Sequence, residues 1–141
     1  MVDRERLARF IQELEKYLGQ LSELQKMEKQ EYLNNWRMYY VVDRTLHLAL
    51  ETFLNIGEIV ITECKFRKPD TYADIPRILQ ENGVIPKELE EKLIDLAKFR
   101  NVLVHEYLYL NHEIVYKHLK TDPDIIKKYL SYVKKFIRGK K

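Results

Sequence analysis

Four glycines and four prolines in 141 residues supply too little turn chemistry for a many-stranded sheet. The single cysteine, Cys64, excludes an intrachain disulfide and suits a reducing cytosol. No apolar run approaches the roughly 20 residues needed to span a membrane. The first residues, Met1 to Arg9, are densely charged, unlike a secretory leader. No glycine-rich loop is present to cradle phosphates, which argues against a P-loop enzyme. With one cysteine and no histidine pair four apart, His47, His112 and His118 offer no spacing for zinc. These absences point to a cytoplasmic protein with no metal, no cofactor and no membrane contact.

What remains is 45% apolar and 33% charged, the composition of one globular domain over residues 1–141. The formal net charge of +3 is too small to imply nucleic acid by itself. Its distribution is uneven. From Ile114 to Lys141 there are nine Lys/Arg against Asp122 and Asp124, so the remainder of the chain is net acidic. A basic end of this kind meets phosphates or simply solvates a helix face.

Hydrophobic periodicity is helical throughout. Leu7, Phe10, Ile11, Leu14, Tyr17, Leu18, Leu21 and Leu24 recur at three- and four-residue steps, predicting a helix from Val2 to about Lys29. A second, very long helix is expected from about Glu31 to Phe66, striped by Val42, Leu46, Ala49, Leu50, Phe53, Gly57, Val60 and Ile61 and ended by Lys68-Pro69-Asp70. Asp74 is a candidate N-cap for a short helix closed by Asn82-Gly83. Pro86 opens another, which buries Leu89, Leu93, Leu96, Ala97 and Phe99. A short turn over Glu113–Leu119 and a last helix from Pro123 to about Arg138 complete an all-α, four- to five-helix up-and-down bundle. Some 35 residues of helix span about 50 Å, too long for a compact monomer of this size unless Gly57 bends it. The expectation is therefore a bundle that dimerises about a two-fold axis.

The fourth helix runs into Arg100-Asn-Val-Leu-Val-His105-Glu-Tyr107, an R-x4-H-x-Y pattern. It gathers a fixed cation, an imidazole that titrates near neutrality and a phenol, the groups a metal-free ribonuclease needs. Arg100 would neutralise phosphate, His105 move a proton, Asn101 orient an oxygen or the imidazole, and Tyr107 hydrogen-bond or stack on a base. On one regular helix, however, Arg100 and His105 diverge by about 140°. Either the helix distorts inside the motif, or two copies meet across a dimer axis to form one composite site. Arg44 on the long helix is a further candidate phosphate contact, although an ion pair with a carboxylate is the more ordinary role for it. Two other readings stay open. The same residues could hold a nucleotide without cutting anything, in a helical partner of a nucleotidyltransferase, or could merely cap a helix in a structural dimer.

The fragment RNVLVHEY resembles the signature of HepT toxins of the HEPN superfamily. VVDRTLHLALETFLNIGEIVI and ENGVIPKELEEKLIDLAKFRN resemble the same family, over roughly Tyr39 to Leu119. The resemblance implies an all-helical homodimer acting as a metal-independent ribonuclease on RNA, with Arg100 and His105 as its catalytic pair. It also implies a nucleotidyltransferase antitoxin that transfers AMP to the motif tyrosine, Tyr107. The added bulk and negative charge would silence a site built for RNA phosphate.

Overall fold

The structure, a computed structural model, describes residues 4–139, without the side chain of Tyr107. All regular structure among these residues is helical: α1 (Arg4–Leu24), α2 (Lys29–Leu33), α3 (Trp36–Glu63), α4 (Asp74–Glu81), α5 (Lys87–His105), a 3-10 turn (Tyr107–Tyr109) and α6 (His112–Gly139). The four long helices pack in a ring, α1 on α3, α3 on α5, α5 on α6 and α6 back on α1, with α3 and α6 also meeting across it. The expected stripes form its core. Leu7, Leu14, Leu18 and Leu21 of α1 are buried against Val42, Leu46, Leu50 and Phe53 of α3, Leu93 and Leu96 of α5, and Ile126, Tyr129 and Val133 of α6.

The elements depart from expectation at several places; the first helix, expected to reach about Lys29, stops at Leu24, and its expected start at Val2 lies outside the described residues. The long second helix is shorter and is preceded by a separate one. Asn34 and Asn35 interrupt it, Asn35 in an extended conformation (φ −126°), so α2 ends at Leu33 and α3 begins at Trp36. At its other end α3 stops at Glu63, before the Lys68-Pro69 signal. Lys65 takes a left-handed conformation (φ 58°), and the Phe66 N–H turns back to the Ile61 carbonyl at 3.0 Å. The resulting α3 has 28 residues, about 42 Å, and α6 matches it with 28, so there are two very long helices rather than one. Gly57 supplies room for close packing on α3: a Cβ there would lie 2.5 Å from Ile75 Cγ2 of α4 and 3.3 Å from the Tyr129 hydroxyl of α6.

A further correction concerns Pro123, expected to start a new helix but buried inside α6. A proline here removes the N–H that would bond the carbonyl four residues back. That carbonyl is Leu119, and the side-chain amide of Gln25, just past the end of α1, donates to it at 2.9 Å and to the Lys120 carbonyl at 3.3 Å. The Lys120 ammonium donates in return to the Gln25 carbonyl at 2.8 Å. A residue 94 positions away thus satisfies the gap that would otherwise end the helix.

Asp74 is not an N-cap in the strict sense. It is the first residue of α4, with Ala73 at the cap position, and its carboxylate accepts from the Asp70 and Thr71 backbone N–H groups at 2.9 and 3.1 Å. The loop from α3 is thereby pinned to α4. Gly83 has φ 74° and closes α4 as expected, with the Val84 N–H reaching the Leu79 carbonyl at 2.9 Å. No helix of the described residues is long and apolar enough to cross a membrane.

Candidate active site

α5 is helical from Lys87 through His105, so Arg100 and His105 sit on one undistorted stretch and their side chains diverge by about 140°. The structure therefore separates the two within a single chain, and their surroundings differ sharply. Arg100 points inward, its side chain 12% exposed. Its Nε and Nη2 donate to Glu51 Oε1 of α3 at 3.2 and 2.8 Å, and Nη1 donates to Asn101 Oδ1 at 3.1 Å. The guanidinium lies 4.6 Å over the Tyr72 ring, a cation–π contact that fixes its plane. Three of its five N–H donors are engaged, leaving one on each terminal nitrogen for an anion.

Glu51 also accepts from or faces His47 Nε2 at 3.2 Å. Burial alone would raise the Glu51 carboxyl, but the hydrogen bonds and charge of Arg100, joined by His47, outweigh it and hold the pKa below its ordinary value. The carboxylate is thus ionised at neutral pH and keeps the guanidinium in register. Glu51, His47 and Tyr72 were not singled out from the sequence as parts of the site. The pairing of Glu51 with a residue 49 positions later follows from how α3 packs on α5.

His105 ends α5. It is exposed, and its imidazole makes no hydrogen bond, ion pair or ring contact with another described residue. The Glu106 N–H completes the helix by bonding the Val102 carbonyl at 2.9 Å. Asn101 is exposed beside a recess of about 310 Å³ walled by Glu58, Asp70, Thr71 and Tyr72. Tyr107 begins the 3-10 turn; the roles expected of its phenol fall on a side chain outside the described residues. The two residues after it, Leu108 and Tyr109, are 73% and 85% exposed, so they form no packing cluster. Arg44 is exposed two turns before Glu51, about 10 Å along α3. It makes no ion pair among the described residues and lies toward Tyr17 of α1, whose phenol feels its charge. The structure does not bring it to Arg100.

On the segments flanking His105, Val102, Leu108, Tyr109 and Ile114 are exposed; Val102, Tyr109 and Ile114 line a groove of about 530 Å³ that includes Phe99 and His118 and also the polar Asp95, Lys98, Glu106 and Asn111. His118 stacks on Phe99 at 3.6 Å and meets the buried Asp122 carboxylate at 2.9 Å, tying the last turns of α5 to the start of α6. Among the described residues no three His, Cys, Asp or Glu side chains are grouped to hold a metal.

The family model for ribonuclease HepT-like proteins matches residues 8–133, from α1 to near the end of α6. The chain belongs to the ribonuclease HepT-like family. This HepT-like chain is 24% identical to the tRNA nuclease HepT of Aphanizomenon flos-aquae (strain 2012/KM1/D3) over 92 residues, which make up 65% of the chain and 63% of that protein. Its fold is similar to that of YutE from Bacillus subtilis, a cytosolic protein of unknown function (TM-score 0.84, 21% identity, 97% of this chain and 92% of that one). It is equally similar to a tri-AMPylated HEPN toxin of Shewanella oneidensis solved in complex with an MNT antitoxin (TM-score 0.82, 18% identity, 92% of this chain and 96% of that one). At these identities the two structures speak for the fold.

Proposed function

We propose that this HepT-like protein is a metal-independent ribonuclease toxin whose cleavage site is completed by a second copy of the chain. The observation that carries the reading is the split geometry of the motif: a clamped, inward Arg100 and a free, outward His105 on one straight helix. Two copies related by a two-fold axis let Arg100 of one protomer approach His105 of the other. The exposed apolar side chains Val102, Leu108, Tyr109 and Ile114 on the segments flanking His105 support an interface on this side of the bundle.

The chemistry is transesterification. The ribose 2′-oxygen attacks the neighbouring phosphorus while an imidazole takes its proton, and the 5′-oxygen leaves as it regains one. The product is a cyclic phosphate and a free 5′-hydroxyl. Arg100 neutralises the charge that builds on the non-bridging oxygens, with its plane already fixed by Glu51 and Tyr72. Asn101 holds a phosphate oxygen or the guanidinium, and Arg44 contributes longer-range attraction for the RNA backbone. DNA lacks the nucleophile and is refused.

Regulation by a nucleotidyltransferase antitoxin is part of this reading, supported by the family and by the exposed turn at Tyr107. The turn it begins carries two exposed side chains, a location open to a modifying enzyme. Transfer of AMP from ATP to the phenol, with release of pyrophosphate, would put bulk and negative charge two residues from His105.

The test is incubation of the purified chain with bulk transfer RNA in EDTA, beside Arg100→Ala, His105→Ala and a co-refolded mixture of the two variants. Native cleavage, two inactive variants and an active mixture are expected, because a mixed dimer retains one intact composite site. Cleavage surviving in His105→Ala removes the motif from the mechanism. An inactive mixture of well-folded dimers removes the composite site.

A further inference from the structure

The cations of α6 are arranged with a regularity that the cleavage site does not use. Lys117, Lys120, Lys127, Lys128, Lys134, Lys135 and Arg138 fall within an arc of about 120° on the helix wheel, spread over about 31 Å of its length. The opposite arc holds the buried Val115, Leu119, Ile126, Tyr129 and Val133. Two of the seven are engaged: Lys134 with Glu15 at 2.6 Å, and Lys120 with the Gln25 carbonyl. The other five are exposed and have no carboxylate partner among the described residues. Outside α6 some cations are paired, as in Arg67–Glu81, Arg77–Asp74 and Arg100–Glu51, while the unpaired ones, such as Arg44 and Lys92, are not gathered on one face of a single helix. Of the three acids on α6, Asp122 is buried against His118, Glu113 pairs with Lys29 at 3.7 Å, and Asp124 is exposed within the basic arc itself, with no ion pair within 4 Å among the described residues.

At its far end this face borders a groove of about 470 Å³ between α1 and α6, lined by Lys127, Lys134, Arg138, Ser22 and Ser131 and by Glu15, whose carboxylate is held by Lys134. At its near end it starts beside the cleavage motif, since Phe99 of α5 is stacked on His118 one residue after Lys117. A helix face with seven cations against one exposed acid, ending in a groove that offers both charge and hydroxyl donors, suits a polyanion.

We propose that the outer face of α6 and the α1–α6 groove bind the phosphate backbone of RNA away from the scissile bond. The identity of this ligand rests on the ribonuclease reading. The face contributes to affinity and to the choice of RNAs long enough to reach it, while Arg100 and His105 act on the bond. Its contacts carry no base readout, and each one releases counterions, so binding falls steeply with salt.

The test starts from the His105→Ala protein, which holds RNA without cutting it. Lys127, Lys128, Lys135 and Arg138 are changed together to Gln; all four are exposed and leave the core alone. A control variant neutralises Lys65, Lys68, Lys87 and Lys92, also exposed. Affinity for a labelled transfer-RNA pool is measured from about 50 to about 300 mM KCl. The α6 variant is expected to weaken binding at least about tenfold and to flatten the salt slope by about 2 to 3, with a much smaller change in the control. In the chain retaining His105, the α6 substitutions should raise KM and leave kcat unchanged. Equal losses in both fourfold variants would reduce the effect to net charge and overturn the proposal, as would an α6 variant that binds like its parent. Binding to anionic phospholipid vesicles but not to RNA assigns the face to a membrane and overturns it too. RNA bound through α6 but never cut by the native chain sinks the nuclease reading and leaves this surface standing.

Discussion

Two carboxylates on α3, eight residues apart and each half-buried, have opposite fates. Glu51 meets Arg100 and His47 and is held ionised, its pKa below the ordinary value. Asp43 has an oxygen buried without a hydrogen-bond partner among the described residues, and burial pushes its pKa up to about 6. Around Asp43 the company is aromatic. Tyr32 stands edge-on to Tyr39 at 5.2 Å, Tyr39 stacks on His112 at 3.6 Å, and the Tyr32 phenol is raised first by burial and then by the Asp43 charge. The same backbone geometry and the same chemical group thus give a fixed anion where a cation was brought to it and a reluctant one where none was. Partnership rather than depth decides which buried acid can orient a functional group.

The largest test of this contrast is Arg100→Ala. It should lower RNA cleavage by at least about 10³-fold through loss of charge stabilisation and cost about 1–2 kcal/mol of stability by leaving Glu51 with only His47. His105→Ala should match it in activity and leave the melting temperature unchanged, since the exposed imidazole supports nothing. A difference in melting temperature between the two variants, read by calorimetry, separates the clamped half of the motif from the free half.

Glu51→Gln comes next. The amide keeps the shape and loses the charge, so the guanidinium should wander and cleavage should fall about tenfold, with about 1 kcal/mol of stability lost at neutral pH. The sign with pH is fixed: a depressed folded pKa contributes stability above the ordinary value of 4.5 that disappears as pH falls through the folded pKa. The penalty of Glu51→Gln should therefore shrink below pH 4.5. Melting curves across that range would refute the clamp if the penalty stayed constant.

Asp43→Asn should do the reverse. A raised folded pKa means stability that is complete below 3.8 and is lost as pH rises through about 6. The amide should stabilise the fold by about 1–2 kcal/mol at pH 7 after allowance for solvent screening, and the gain should vanish in acid. Cleavage by this variant should be native, which a simple activity assay decides. Gln25→Ala is the smallest, at about 1 kcal/mol for the part-buried bond to the Leu119 carbonyl, with backbone amides next to Pro123 exchanging hydrogen faster than in the native chain.

The candidate residues were legible before their geometry was. The motif fixed Arg100, Asn101, His105 and Tyr107 as a group, and the helical stripes of α1, α3, α5 and α6 fixed which faces would be buried. The divergence of Arg100 and His105 also followed from helical arithmetic and an unbroken α5. Glu51 and Tyr72 were out of reach because they meet Arg100 only through packing of distant segments, and nothing local marks a glutamate that will find an arginine 49 residues later. The break at Asn34-Asn35 lay inside a periodic stripe that continued across it. Pro123 misled for the same reason as Glu51: its local signal to start a helix was sound, and the compensation came from Gln25 in another part of the chain.

That compensation makes the length of α6 something α6 alone does not contain. Excised as a peptide, it would be two short helices meeting at a proline. With the end of α1 seated against it, the gap at Pro123 is bridged, and the helix joins the turn after His105 to the basic tip at Arg138. A single carboxamide serves as the splice plate, and the span between those two ends is a dimension of the assembled bundle, kept true by a residue that belongs to neither.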